Sequence, residues 1–167
     1  MAVLHFICGK AGAGKTTLAR QLEASLPAVA FIEDEWIVTL GFEVTSLADF
    51  VAASQRCRKL IASMAIALLK MDVHVVFDFA GNTRKDRQWV RGVFEEANAD
   101  HLLHLIEATD EQCLANIHRR NEDKPPGIYA GHVSDETFHQ VTKYFLPPQS
   151  DEQFTVRYLE AGRFASS

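Results

Sequence analysis

Residues 9–16 read G-K-A-G-A-G-K-T, and the reading of this octapeptide decides the fold. It matches GxxxxGK[ST] in full. Before it lies an apolar, β-branched run, VLHFIC at residues 3–8; after it, Leu18, Leu22 and Leu26 recur four apart and stop at Pro27. Strand, glycine-rich loop and helix together form the setting in which backbone N–H groups turn inward around phosphate oxygens at a positive helix end. Gly9, Lys10, Ala11, Gly12, Ala13, Gly14, Lys15, Thr16 and Thr17 then make the cradle. Lys15 brings a point charge to the β- and γ-phosphates, and Thr16 offers its hydroxyl to Mg2+.

One competing reading starts at Gly12. The run Gly12-Ala13-Gly14-Lys15-Thr16-Thr17 begins like GxGxxG, and Glu33 and Asp34 stand about twenty residues on, where a dinucleotide-binding domain keeps its ribose-binding acid. The third glycine position holds Thr17, however, and that fingerprint has no use for Lys-Thr. The phosphate loop accounts for every residue.

Working outward, apolar runs alternate with helical patterns. Strands are expected at residues 28–33, 74–79, 101–108 and 154–159. Ser46 and Asp49 form a capping box that opens a long helix to about Met71, with Leu47, Phe50, Val51, Leu60, Ile61, Met64 and Leu68 on its apolar side. Thr83 and Thr109 start two further helices, to about Ala97 and Asn121. Ser134 starts a last one, with Phe138, Val141, Phe145 and Leu146 inward and Pro147 as its stop. The stretch after the acids, with Gly41, reads as less regular. Five strands alternating with helices give a three-layer α/β domain with a mostly parallel sheet. Ligands of such sheets gather at the carboxyl ends of the strands, where residues 9–16, the acids at 33–35 and Asp78 all stand.

The bulk properties bound the function. One domain over residues 1–167 is expected. A formal charge of −5 without a dense Lys/Arg block disfavours a nucleic-acid partner. No apolar run approaches membrane-spanning length, so no membrane partner is expected, and the apolar N-terminus reads as a first strand. Cys8, Cys57 and Cys113 share no metal-ligand spacing and read as buried thiols in a reducing compartment, which makes the cytoplasm the expected location.

The sequence GKAGAGKTTLARQL, then EDEW, then VVFDFAGNTRKDRQW resembles the small-molecule branch of the P-loop kinases, in the group often labelled AAA domain-containing. It is similar to chloramphenicol phosphotransferase, zeta-toxin-like kinases and gluconate kinase, over nearly the whole chain. The resemblance implies a nucleotide-kinase-like P-loop NTPase fold with five strands and a short lid at about residues 121–133; the tail at about 160–167 reads from the sequence as frayed. It implies ATP and Mg2+ as the nucleotide and metal, and transfer of phosphate to a hydroxyl of a small molecule. The acceptor class stays open among antibiotic, sugar and nucleoside. The alternative is a nucleotide-hydrolysing regulatory switch.

Within that resemblance the remaining residues take roles. Transfer needs a carboxylate near the γ-phosphate to orient the acceptor hydroxyl and receive its proton. Asp34 is expected to be this base, since related kinases place an Asp just after the second strand; the competing role is a cap on a helix starting at Trp36. Asp78 ends an apolar strand in the Walker-B manner and is expected in or near the Mg2+ shell; spacing alone leaves open which of Asp34 and Asp78 is the proton acceptor. Arg119 and Arg120 close a helix before the lid and are expected to stabilise transferring charge, although adjacent helical residues point about 100° apart. Lys124 and His132 are lesser lid candidates. Asn82, Arg84, Arg87 and Arg56 are candidates for acceptor contact, and Trp36, Phe42 and Phe50 for the walls of an acceptor pocket.

Overall fold

The computed structural model describes residues 1–163; the end of the tail expected to fray lies outside the described residues. Five parallel strands, β1 (Val3–Cys8), β2 (Ala28–Ile32), β3 (His74–Asp78), β4 (Asp100–Glu107) and β5 (Val156–Glu160), form one sheet in the order β2-β3-β1-β4-β5. Parallel neighbours need a crossover between them, and the helices that supply these cover both faces. On one face α2 (Glu33–Thr39), α3 (Leu47–Lys70) and α4 (Arg84–Ala97) enclose Leu4, Phe6, Phe31, Phe77, Ile61 and Val90. On the other α1 (Lys15–Ser25), α5 (Asp110–Asp123) and α6 (Asp135–Thr142) enclose Ile7, Leu18, Val76, Ile106, Ile117 and Phe138. The three-layer α/β architecture expected from the alternation is present, with every strand pair parallel.

Four local expectations are revised. The acids at 33–35 do not lead into an irregular stretch. They are the first turn of α2, where negative charge complements the free N–H groups of a helix start. On α3 the inward face is Ala53, Ser54, Cys57, Ile61, Ala65 and Leu69, and the larger Leu47, Val51, Leu60 and Met64 stay exposed. Small residues four apart let α3 lie close against the sheet, which overrides the wider apolar stripe. Helix α6 ends at Thr142, short of Pro147, because the Leu146 amide donates to the Asn82 carbonyl at 2.8 Å and draws the chain off the helix; Leu146 is exposed. Strand β5 starts at Val156, while Phe154 packs edge-on against Phe94 and His101.

The three cysteines are free and buried. Among the described residues no helix is long and apolar enough to cross a membrane.

Between the neighbouring strands β1 and β4 lies a buried histidine pair, with His5 Nδ1 3.0 Å from His104 Nε2 and no partner for either remaining ring nitrogen. Burial first, then repulsion from His74 at His5 and from His5 and Arg157 at His104, holds both rings well below the usual imidazole range, at about 4. A folded-state pKa below the unfolded one gives stability that is complete above the unfolded value near 6.5 and lost as pH falls towards 4. The buried carboxylates Glu33 and Asp34, raised to about 7 and about 6, act in the opposite sense over the same interval. The histidine contribution is therefore read by difference. Between pH 7 and pH 5, wild type is expected to lose on the order of 2–4 kcal/mol relative to His5→Phe/His104→Leu, measured by urea unfolding at each pH.

Candidate active site

The phosphate loop, Lys15, the Thr16–Asp78 pair and the Arg120–Asp34 pair are held at the carboxyl edge of the sheet. The loop after β1 turns on Gly12 and Gly14, both at positive φ (77° and 98°). At Gly12 a side chain is excluded twice over: by the backbone angle, and because a Cβ would sit 2.4 Å from the Cys113 carbonyl of α5. Gly14 is the N-cap of α1 and has no side chain to cap it, and the first turn carries no acid. The leading amides of α1, at Lys15, Thr16 and Thr17, are thus left for an anion. Ala13 is buried under the loop, and Thr17 is exposed at its rim.

The charged residues of the loop divide. The Lys15 ammonium lies across the loop mouth, donating to the Gly9 carbonyl at 3.1 Å and the Lys10 carbonyl at 3.0 Å. Lys10 points the other way, to Asp110 at 2.7 Å, and ties the loop to the start of α5. Its backbone belongs to the cradle while its side chain is structural. Thr16 donates its hydroxyl to Asp78 Oδ2 at 2.6 Å, joining the head of α1 to the end of β3.

Asp78 and Asp34 face this assembly together. Ile32 pairs with Asp78 across β2 and β3, so the residues after Ile32 emerge beside the Asp78 carboxylate. Asp78 is 6% exposed; burial raises its carboxyl pKa, opposed by the nearby Lys15 ammonium and the Thr16 hydrogen bond. Asp34 keeps 27% of its side chain open and has Arg120 Nη1 3.7 Å from its Oδ2. Burial pushes it up to about 6 against the pull of Arg120, and the negative charge of Asp78 adds to the rise. The cap of α2 is Ile32, without any side-chain hydrogen bond, so Asp34 is not spent on capping a helix.

Of the two adjacent arginines, Arg120 turns to Asp34. Arg119 is exposed and donates to the Asn116 amide oxygen at 3.0 Å, and Asn116 in turn donates to the Gly12 carbonyl at 2.9 Å. Arg119 thus braces the phosphate loop through Asn116. Asn116 escaped the sequence reading, yet its i, i+4 relation to Arg120 puts both on one face of α5.

The other candidates lie elsewhere. Glu35 is ion-paired with Arg20. Arg87 is 1% exposed, forked onto Glu152 at 2.7 and 2.8 Å, and also donates to the Gly81 and Leu146 carbonyls. Arg84 is paired with Asp151, and Arg56 lies over the Phe42 ring. Asn82 engages Leu146 through its backbone carbonyl. Trp36, Phe42 and Phe50 are half-buried against the core. In the stretch expected as a lid, α5 continues to Asp123, Lys124 ends it in the left-handed region, and Asn121 closes the base by two hydrogen bonds with Val133; Lys124 and His132 are exposed.

Loop, helix start and the two acids at neighbouring strand ends define a P-loop nucleotide-binding domain with the fold of small kinases. The AAA-domain profile matches residues 4–148, and the chain belongs to that family. No curated protein matches the sequence. Among solved structures, a candidate kinase from Chloroflexus aurantiacus j-10-fl superposes with a TM-score of 0.74 at 13% identity, over 99% of this chain and 88% of that one. The APS kinase CysC of Mycobacterium tuberculosis, in complex with AMPPNP and APS, gives 0.61 at 18% identity, over 97% of this chain and 90% of its own. A gluconokinase from Sinorhizobium meliloti 1021 gives 0.60 at 12% identity, over 97% and 83%. At these identities the likeness is one of fold.

Gly12 offers a direct check of the loop. Gly12→Ala is expected to lower stability by about 2–4 kcal/mol and nucleotide affinity at least about tenfold, read by urea unfolding and fluorescent-nucleotide titration. Gly41→Ala, also at positive φ (70°) but with open space around it, should show the smaller stability loss and unchanged affinity.

Proposed function

We propose that this protein transfers the γ-phosphoryl group of ATP to a hydroxyl of a small molecule. The observation that carries the reading is the convergence of Lys15, the Thr16–Asp78 pair at 2.6 Å and the Arg120–Asp34 pair at 3.7 Å on one edge of the sheet. The loop amides and Lys15 hold the β- and γ-phosphates. Asp34 accepts the proton of the acceptor hydroxyl as its oxygen bonds to the γ-phosphorus. The bond from that phosphorus to the β,γ-bridging oxygen breaks, and ADP carries the electron pair away. Arg120, a fixed cation beside Asp34, offsets charge that spreads over the transferring group.

The Thr16 hydroxyl and Asp78 carboxylate are hard oxygen donors and fit Mg2+. Among the described residues no group of three or more His, Cys, Asp or Glu side chains is placed to cage a metal, which suits an ion completed by water and by the phosphates of its nucleotide. Bound there, Mg2+ would neutralise charge on the β- and γ-oxygens.

Asp34 at about 6 is a carboxylate at neutral pH with more proton affinity than an ordinary aspartate, as a general base near neutrality requires. The rate is expected to climb with pH through about 6 and level off above it, about tenfold lower at pH 5 than at the plateau. ADP formation would be followed with a pool of sugars, nucleosides and hydroxyl-bearing antibiotics as acceptors. Asp34→Asn is expected to lose about 10²- to 10⁴-fold in kcat and the acid limb of the profile, with nucleotide affinity kept. Full acceptor-dependent turnover by Asp34→Asn would remove it as base. Phosphate release that no acceptor stimulates would favour a hydrolytic switch.

A further inference from the structure

Glu33 is the acid that phosphotransfer leaves unused, and it is the most buried of the three in α2, at 4% exposure. Its two oxygens are both engaged. Oε1 accepts from the Ser54 hydroxyl of α3, and Oε2 accepts from the Ala80 amide at 3.0 Å, two residues beyond Asp78. Arg58, one turn along α3 from Ser54, brings Nε to 3.9 Å from Oε1 and donates to the Ala80 carbonyl at 2.8 Å. Ala80 is therefore gripped at its amide by Glu33 and at its carbonyl by Arg58. Arg58 is itself fixed, by Asp86 at 2.9 Å and by the Trp89 ring 5.0 Å beneath it.

A buried carboxylate is unfavourable unless its lone pairs and charge are met; here α3 supplies the Ser54 hydroxyl and the Arg58 charge, and the exit of β3 supplies the Ala80 amide. Capping does not account for it, because the amide it holds belongs to the exit of β3 and not to its own helix. What Glu33 does join is the chain on either side of the site: Asp34 is its immediate neighbour, and Asp78 lies two residues before Ala80. We propose that Glu33 is a positioning residue that fixes the separation of Asp34 from the Thr16–Asp78 pair by clamping the exit of β3. This rests on the phosphotransfer reading given above. Burial raises the Glu33 pKa to about 7 against the opposing Arg58 charge and both hydrogen bonds. The groups facing it are Arg58 and Ser54 of α3, Asp34 of its own helix and, through Arg58, Asp86 of α4.

The test compares Glu33→Gln, Glu33→Ala and Ser54→Ala in the full chain, following the Ala80 amide by hydrogen exchange alongside kcat and nucleotide KM. Glutamine can still accept from the Ala80 amide and donate to Ser54, so Glu33→Gln should keep amide protection and kcat within about threefold. Glu33→Ala should lose both, with kcat down about 10²-fold, the scale of a displacement near 1 Å, and nucleotide KM unchanged within about twofold. Ser54→Ala, a milder cut, should lie between them and covers the case in which Glu33→Ala does not fold. Lost Ala80 protection with kcat intact overturns the proposal, as does a uniform fall in folded fraction, kcat and nucleotide affinity in all three variants. Wild type that protects Ala80 in the expected pattern but transfers phosphate to no acceptor would contradict the phosphotransfer reading and leave the clamp standing.

Discussion

Parallel pairing of β2, β3 and β1 in one register governs the rest of the molecule. It sends the chain exits after Ile32, Asp78 and Cys8 out at the same edge of the sheet. With Ile32 opposite Asp78, the two acids of the site stand at neighbouring strand ends, Asp78 as the last residue of β3 and Asp34 in the first turn of α2, without any long loop to place them. The glycine loop then closes from β1 onto the same edge, and the 2.6 Å contact from Thr16 to Asp78 joins loop to sheet. Sites built on rigid elements in this way need little reorganisation when a substrate arrives.

The same edge concentrates buried negative charge. Glu33, Asp34 and Asp78 are all raised above the ordinary carboxylate range, with burial the first cause in each case. Their cations are assigned one to each region: Arg58 to Glu33, Arg120 to Asp34, Lys15 to Asp78. Removing one partner would leave an uncompensated charge, so these pairs are more informative about specificity of arrangement than about net stability. Two further knots tie distant chain segments to this edge. Arg87 and Glu152 bind the exit of β3 to the segment after α6, and Arg119 with Asn116 binds the phosphate loop to α5.

The sheet, the phosphate loop and the edge where the acids stand were legible in the sequence because each has a local signature: apolar runs, fixed glycine spacing, a carboxylate at a strand end. Features set by tertiary contact were not. The buried face of α3 is chosen by how closely a helix can approach a sheet, so Ala53, Cys57 and Ala65 go inside where Leu47, Val51 and Met64 were expected. Arg87 reads as a surface base at a helix start, and only the return of Glu152, sixty-five residues later, makes it a core residue. Neither the division of labour between Arg119 and Arg120 nor the grip of Glu33 on Ala80 leaves a trace in spacing, since each depends on a partner from another element.

The proposed reaction sends the γ-phosphoryl group to an alcohol oxygen of a small molecule. Incubating the purified chain with Mg2+ and γ-labelled ATP over a metabolite extract, and following the label by mass spectrometry, tests it most directly. A labelled phosphate ester is expected to form with wild type and to be absent with Lys15→Ala. Label recovered only as inorganic phosphate, at a rate no extract component changes, would contradict it.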